Sequence, residues 1–89
     1  MRMPKKRDVY RHFKGNCYLV IGLAKNCTND GDRGDYVVYK RLGSNKTYIR
    51  KLSEFTSEVD QEKYPDVNQK YRFEFLYNGD CQISNSTDS

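Results

Sequence analysis

Five short runs of aromatic and β-branched residues, each closed by a turn signal, restrict this chain to a small β fold. The clearest is 70–77, where Tyr71, Phe73, Phe75 and Tyr77 alternate with Arg72, Glu74 and Leu76. Alternation of period two puts one set on each face of a strand. Val9–Phe13 and Cys17–Asn26 flank Lys14-Gly15-Asn16, and both Gly and Asn tolerate the positive φ of a tight hairpin. Gly22 sits inside the second run, where it marks a bulge or a sharp bend. Tyr36–Leu42 and Thr47–Lys51 flank a second turn, Gly43–Lys46. Leu52 and Phe55, spaced i, i+3, predict one helical turn over Leu52–Glu58.

Length sets the rest of the architecture. Eighty-nine residues make one domain with a thin core. Small sheets avoid exposed edges by curling closed. The expected fold is therefore mainly β: an SH3-like five-strand barrel, or alternatively an OB-like one, with one short helical turn. The expected organisation is a basic flexible leader (1–7), a single β-barrel domain (8–78) and a polar disordered tail (79–89).

Charge is unevenly distributed. Residues 1–14 hold six cations against Asp8 alone, while the remainder is almost balanced. Such an arm contacts phosphates or simply frays in solvent. Cys17, Cys27 and Cys81 are odd in number and lack C-x-x-C spacing, and one histidine completes no usual zinc set. They are read as reduced thiols in a cytoplasmic protein, with no metal and no cofactor. The first 14 residues carry no apolar signal region, and no run is long enough to cross a membrane as a helix. Asp30-Gly31-Asp32 lacks the rest of a calcium loop, and the Arg33-Gly34-Asp35 tripeptide and three N-x-[ST] sequons are treated as incidental.

The segment Tyr10-Arg11-His12-Phe13-Lys14-Gly15-Asn16 resembles the N-terminal signature of a family of small bacterial and phage domains, domain of unknown function 1653. The resemblance continues through Val37-Val38-Tyr39, Tyr48-Ile49-Arg50, Leu52-Ser53-Glu54-Phe55 and Tyr71-Arg72-Phe73-Glu74, and so covers residues 9–77. Tyr48 stands where the family commonly has Trp, and Lys51 where it has Pro. The resemblance implies a small β barrel and brings no established chemistry.

Catalysis has little support. His12 needs a nucleophile and an orienting acid, and a Cys17–His12 dyad depends on the hairpin placing both on one face. No Walker or Rossmann glycine pattern is present. Arginines beside aromatic rings are more informative, because guanidinium forks match phosphate oxygens and rings stack on bases. Tyr48 and Arg50 share one strand face, and Tyr39 and Arg41 share another next to it. The candidate ligand-binding set is Arg11, His12, Lys14, Tyr39, Arg41, Tyr48, Arg50 and Phe55. Arg72 is placed outward, as a surface cation. Equally, the tyrosines are core and the arginines reach outward to acids.

The expected function is a non-enzymatic binding module for a nucleotide or phosphorylated small molecule, on the surface or between copies in a homo-oligomer. By analogy of size and setting, such a module resembles phage sponges that sequester cyclic ADP-ribose-type or cyclic dinucleotide immune signals. The alternatives are a nucleic-acid-binding barrel and an SH3-like domain that takes a peptide across its tyrosines.

Overall fold

A computed structural model describes residues 2–28, 30–32 and 34–79. It contains strands β1 (Asp8–His12), β2 (Cys17–Lys25), β3 (Asp35–Arg41), β4 (Thr47–Lys51) and β5 (Phe73–Asn78), with helix α1 (Leu52–Phe55) between β4 and β5. All neighbours are antiparallel, in the order β4-β3-β2-β1-β5. The expected tail, apart from Gly79, lies outside the described residues, as does Cys81.

Local chemistry explains the elements. The β1–β2 turn needs Gly15, whose φ is +111°, and is closed by the Gly15 amide on the His12 carbonyl at 2.8 Å. Gly43, at φ +84°, does the same work between β3 and β4. Pairing of β2 with β3 slips between Val20 and Gly22, so the bulge expected at Gly22 is present. α1 has no side-chain cap, and its one buried residue is Phe55. Packing rather than helix propensity therefore holds this turn in place.

Among the described residues, six form the core cluster: Tyr10, Val20, Val37, Tyr39, Phe55 and Phe73. Phe55 stacks on Phe73 at 4.1 Å, and Tyr10 meets Phe55 edge-on at 5.2 Å. Such contacts stabilise by about 0.5–1.5 kcal/mol each beyond the area they bury.

The sheet differs from expectation in two respects. It does not close into a barrel, because β4 and β5 remain edges of one open sheet. Space that closure would use is filled instead by α1, through Phe55, and by the segment after it, through buried Val59. That segment is clasped by the Glu58–Tyr71 bridge and by the Arg72 amide on the Ser57 carbonyl. The second difference is in β5, which begins only at Phe73 and slips against β1 between Val9 and Tyr10. Phe75 then faces Tyr10 while Tyr77 pairs with Val9, so the aromatic alternation does not stay on one face.

The leader, expected to be flexible, makes specific contacts. Pro4 is buried, the Arg7 amide donates to the Val20 carbonyl, and the Arg2 guanidinium donates twice to Asp8, at 3.0 and 3.1 Å. No helix of the described residues is long and apolar enough to cross a membrane.

Candidate functional site

The C-terminal end of β1 carries the site. β1 and its turn supply His12, Phe13, Lys14 and Asn16; β2 supplies Tyr18, β3 Tyr39 and β4 Arg50. The segment between α1 and β5 closes the other side with Val59, Asp60, Lys63, Tyr64 and Arg72, and Phe73 forms part of the base. Together they enclose a cleft of about 410 Å³, a size that admits a small ligand. A hollow of about 520 Å³ beside Asp32 and Asp35 is larger, and one of about 400 Å³ lies beside Tyr36 and Ile49. Neither gathers arginines onto rings, so chemistry rather than size selects the cleft at His12.

His12 is held on all sides. Its ring stacks on Phe13 at 4.5 Å and meets Phe73 edge-on at 4.9 Å. The Lys14 backbone amide donates to His12 Nδ1 at 3.1 Å. Nδ1 is therefore the acceptor of the neutral ring, which assigns the proton to Nε2. Burial lowers the His12 pKa most, and Arg50, Arg72 and Lys14 lower it further, to about 4. The imidazole is thus neutral at pH 7 and retains an N–H to donate.

Both arginines are anchored through Nε. Arg50 Nε donates to the Tyr39 hydroxyl at 3.2 Å, and Arg72 Nε donates to Ser57 Oγ at 3.2 Å. The Arg50 guanidinium carbon lies 5.6 Å from the Phe73 ring centroid, a cation–π distance. One Nη of Arg50 is 3.7 Å from Glu54. Lys14 and Lys63 lie over the Tyr64 ring, at 5.7 and 5.6 Å. Among the described residues no carboxylate forms an ion pair with Lys14, Lys63 or Arg72. The acid in the lining, Asp60, already accepts the Glu62 and Lys63 amides.

The structure brings together four of the candidates named from sequence: His12, Lys14, Tyr39 and Arg50. Tyr48 stands just outside, half-exposed, with its ring 5.7 Å from Tyr39. Three candidates lie elsewhere. Arg11 faces away and pairs with Glu74 at 2.6 Å, because odd and even residues of β1 point to opposite faces. Arg41 is exposed at the end of β3, outside the lining. Phe55 is fully buried core with no surface left for a ligand. The register also answers the dyad question, since Cys17 pairs with Arg11 and so lies on the face opposite His12.

Arg72 is the residue that sequence parity misplaced. Parity holds only within a strand, and β5 starts one residue later. Lys63 and Tyr64 gave no periodic signal because they come from the loop; Tyr64 reaches the cleft through its 4.9 Å contact with Phe13.

Fold and site define a class: a small open β domain with a ring-lined cationic cleft at one end of its central hairpin. The sequence pattern of the DUF1653 family, described as proteins of unknown function, matches residues 8–75, and the chain belongs to that family. No solved structure matches it. The signature that carried the resemblance is the stretch that brings His12, Phe13, Lys14 and Asn16 to the cleft.

Proposed function

We propose that this chain is a non-enzymatic module that binds a small anionic ligand, a nucleotide or another phosphorylated molecule. One observation carries the reading: Lys14, Arg50 and Arg72 converge on His12 among aromatic rings, and neither Lys14 nor Arg72 has a carboxylate partner among the described residues. Gathering like charges in a half-buried cleft is unfavourable unless an anion offsets them. The whole lining of the cleft comes from one chain. The lining offers His12 no serine, threonine or cysteine to activate, which favours binding over triad-type hydrolysis. Sequestration of a nucleotide signal is the role we assign to such binding, on the analogy of size given above.

A thermal-shift panel tests this, with mononucleotides, cyclic dinucleotides, ADP-ribose derivatives and short oligonucleotides at low and moderate salt. A ligand at about 100 times its Kd adds about 2.7 kcal/mol. In a domain of this size that raises the midpoint by about 10 °C or more. A shift with a small phosphorylated compound that survives moderate salt supports the proposal. Shifts with oligonucleotides alone, vanishing in salt, point to a nucleic-acid module instead. No shift with any compound leaves a peptide partner as the better reading.

A further inference from the structure

Within the cleft, donors outnumber what most anions supply. The guanidinium groups of Arg50 and Arg72 are each fixed through Nε, which leaves both Nη groups of Arg72 to donate as a fork and one Nη of Arg50 clear of Glu54. Lys14 Nζ lies over the Phe13 and Tyr64 rings and forms no ion pair among the described residues. His12 adds Nε2–H, because the Lys14 amide occupies Nδ1. A phosphodiester has one negative charge and two unbridged oxygens, too few for two guanidinium groups, an ammonium and an imidazole. A terminal phosphoryl group carries a charge of about −1.5 to −2 and three strong acceptor oxygens.

We propose that the base of this cleft is a seat for a terminal phosphoryl group, held by Arg50, Arg72, Lys14 and the Nε2–H of His12. This rests on the anion-binding function proposed above and selects phosphomonoesters within it. Cyclic nucleotides and nucleic-acid strands, whose phosphates are diesters, are then poor ligands, which narrows the proposed sequestration to signals that carry a terminal phosphate and sets aside the cyclic signals of the analogy.

Charge at the seat comes from fixed cations rather than from His12. The groups facing that ring are Lys14 from the β1–β2 turn, Tyr18 from β2, Tyr39 from β3 and Arg50 from β4. Glu54 of α1 stands behind Arg50; Asp60, Lys63, Tyr64 and Arg72 come from the segment that closes the cleft. Burial and the three nearest cations keep His12 neutral above a pKa of about 4. It therefore donates a hydrogen bond without changing charge between pH 5 and 8. Affinity for a monoester should rise with pH across the ligand's own second ionisation, near pH 6, and affinity for sulfate should stay flat there.

Calorimetric titration at pH 7.5 with matched compounds tests the assignment. The probes are 5′-AMP, 3′,5′-cyclic AMP, adenosine, ribose 5-phosphate, inorganic pyrophosphate, cyclic di-GMP and its linear 5′-phosphorylated form. Each monoester should bind about tenfold or more tighter than its cyclic partner, the effect of losing one charge-assisted hydrogen bond. Arg72→Met should remove that preference. If a cyclic nucleotide binds as tightly as its monoester, the phosphomonoester assignment is overturned while the anion-binding function stands. If neither pyrophosphate nor any phosphorylated probe binds, both fall. His12→Asn separates the donor from the fold, since Asn retains an acceptor for the Lys14 amide and loses the Nε2–H. It should weaken 5′-AMP binding by the folded protein, at a lower midpoint because the ring contacts with Phe13 and Phe73 are lost; unchanged affinity of the folded protein would remove His12 from the seat.

Discussion

The two ends of β1 handle buried charge in opposite ways. At its start the Asp8 carboxylate is fully buried, yet the protein answers it completely. Arg2 donates twice, and the Lys5 amide, the Tyr10 hydroxyl and Asn78 Nδ2 donate at 2.8–3.1 Å. Burial alone would raise the Asp8 pKa, but those bonds, led by Arg2, outweigh it and hold the carboxyl below its ordinary value. At the end of the same strand, His12 lies among Arg50, Arg72 and Lys14; burial lowers its pKa most, and those three cations lower it further. One end supplies both anion and cation and ties the leader to β5 through Asn78. The other gathers cations, of which Lys14 and Arg72 have no carboxylate partner among the described residues. That difference, a buried charge satisfied within the chain at one end of the strand and cations left unpaired at the other, is what the proposed anion site rests on.

The largest expected effect breaks the satisfied end. Asp8→Ala should lower stability by about 3 kcal/mol, the low end for breaking a buried pair, since Arg2 can turn to water. Urea denaturation measures this, and 5′-AMP affinity of the folded fraction should not change. A loss below about 1 kcal/mol would show that the Asp8 cluster is not a stabilising node. The opposite substitution, Arg72→Met, should change stability by less than about 1 kcal/mol, because a lost bond to Ser57 is offset by relief of repulsion. It should also raise the His12 pKa above about 4, as one of the cations suppressing it is gone. NMR titration of the single imidazole reads that shift, and an unmoved value would mean that Arg72 does not act on the ring.

Sequence carried the fold well and the cleft by halves. Thr47–Lys51 was legible to the residue, and Gly15, Gly22 and Gly43 announced the hairpins and the bulge, because these are local preferences. Barrel closure was not legible, since it depends on whether α1 and the clasped 57–72 segment fill the gap between β4 and β5. His12, Lys14, Tyr39 and Arg50 were found from residue type and strand parity. Parity failed for Arg72, which precedes its strand, and Phe55 was a core ring that its spacing alone could not separate from a ligand contact. Acidic neighbours in 58–66 obscured Lys63 and Tyr64, although Asp60 is engaged by its own turn.

A smaller effect separates the two ends by pH. The His12 pKa is about 4 in the folded protein and about 6.5 in an unfolded chain. Between those values the unfolded state binds more protons, so stability is full above pH 6.5 and falls as pH drops toward 4. The Asp8 contribution is present above the ordinary carboxylate value and is lost as pH falls from there through its depressed folded value. His12→Asn should remove the first decline and leave the second, as thermal midpoints across pH 3–8 would show. Persistence of the decline in the variant would assign it to another group. Least affected should be Glu74→Gln, which breaks the exposed pair with Arg11 and should cost about 0.5 kcal/mol or less. A larger loss would mean that the outer face is more dependent on charge pairing than the cleft.

The most direct measurement is the ¹⁵N spectrum of the one imidazole at pH 7.5 during titration with inorganic phosphate. The account predicts a neutral ring protonated at Nε2, whose signals move saturably as the anion arrives, with Nδ1 still accepting the Lys14 amide. An Nδ1-protonated or charged ring, or signals that stay still while phosphate binds elsewhere, would contradict it.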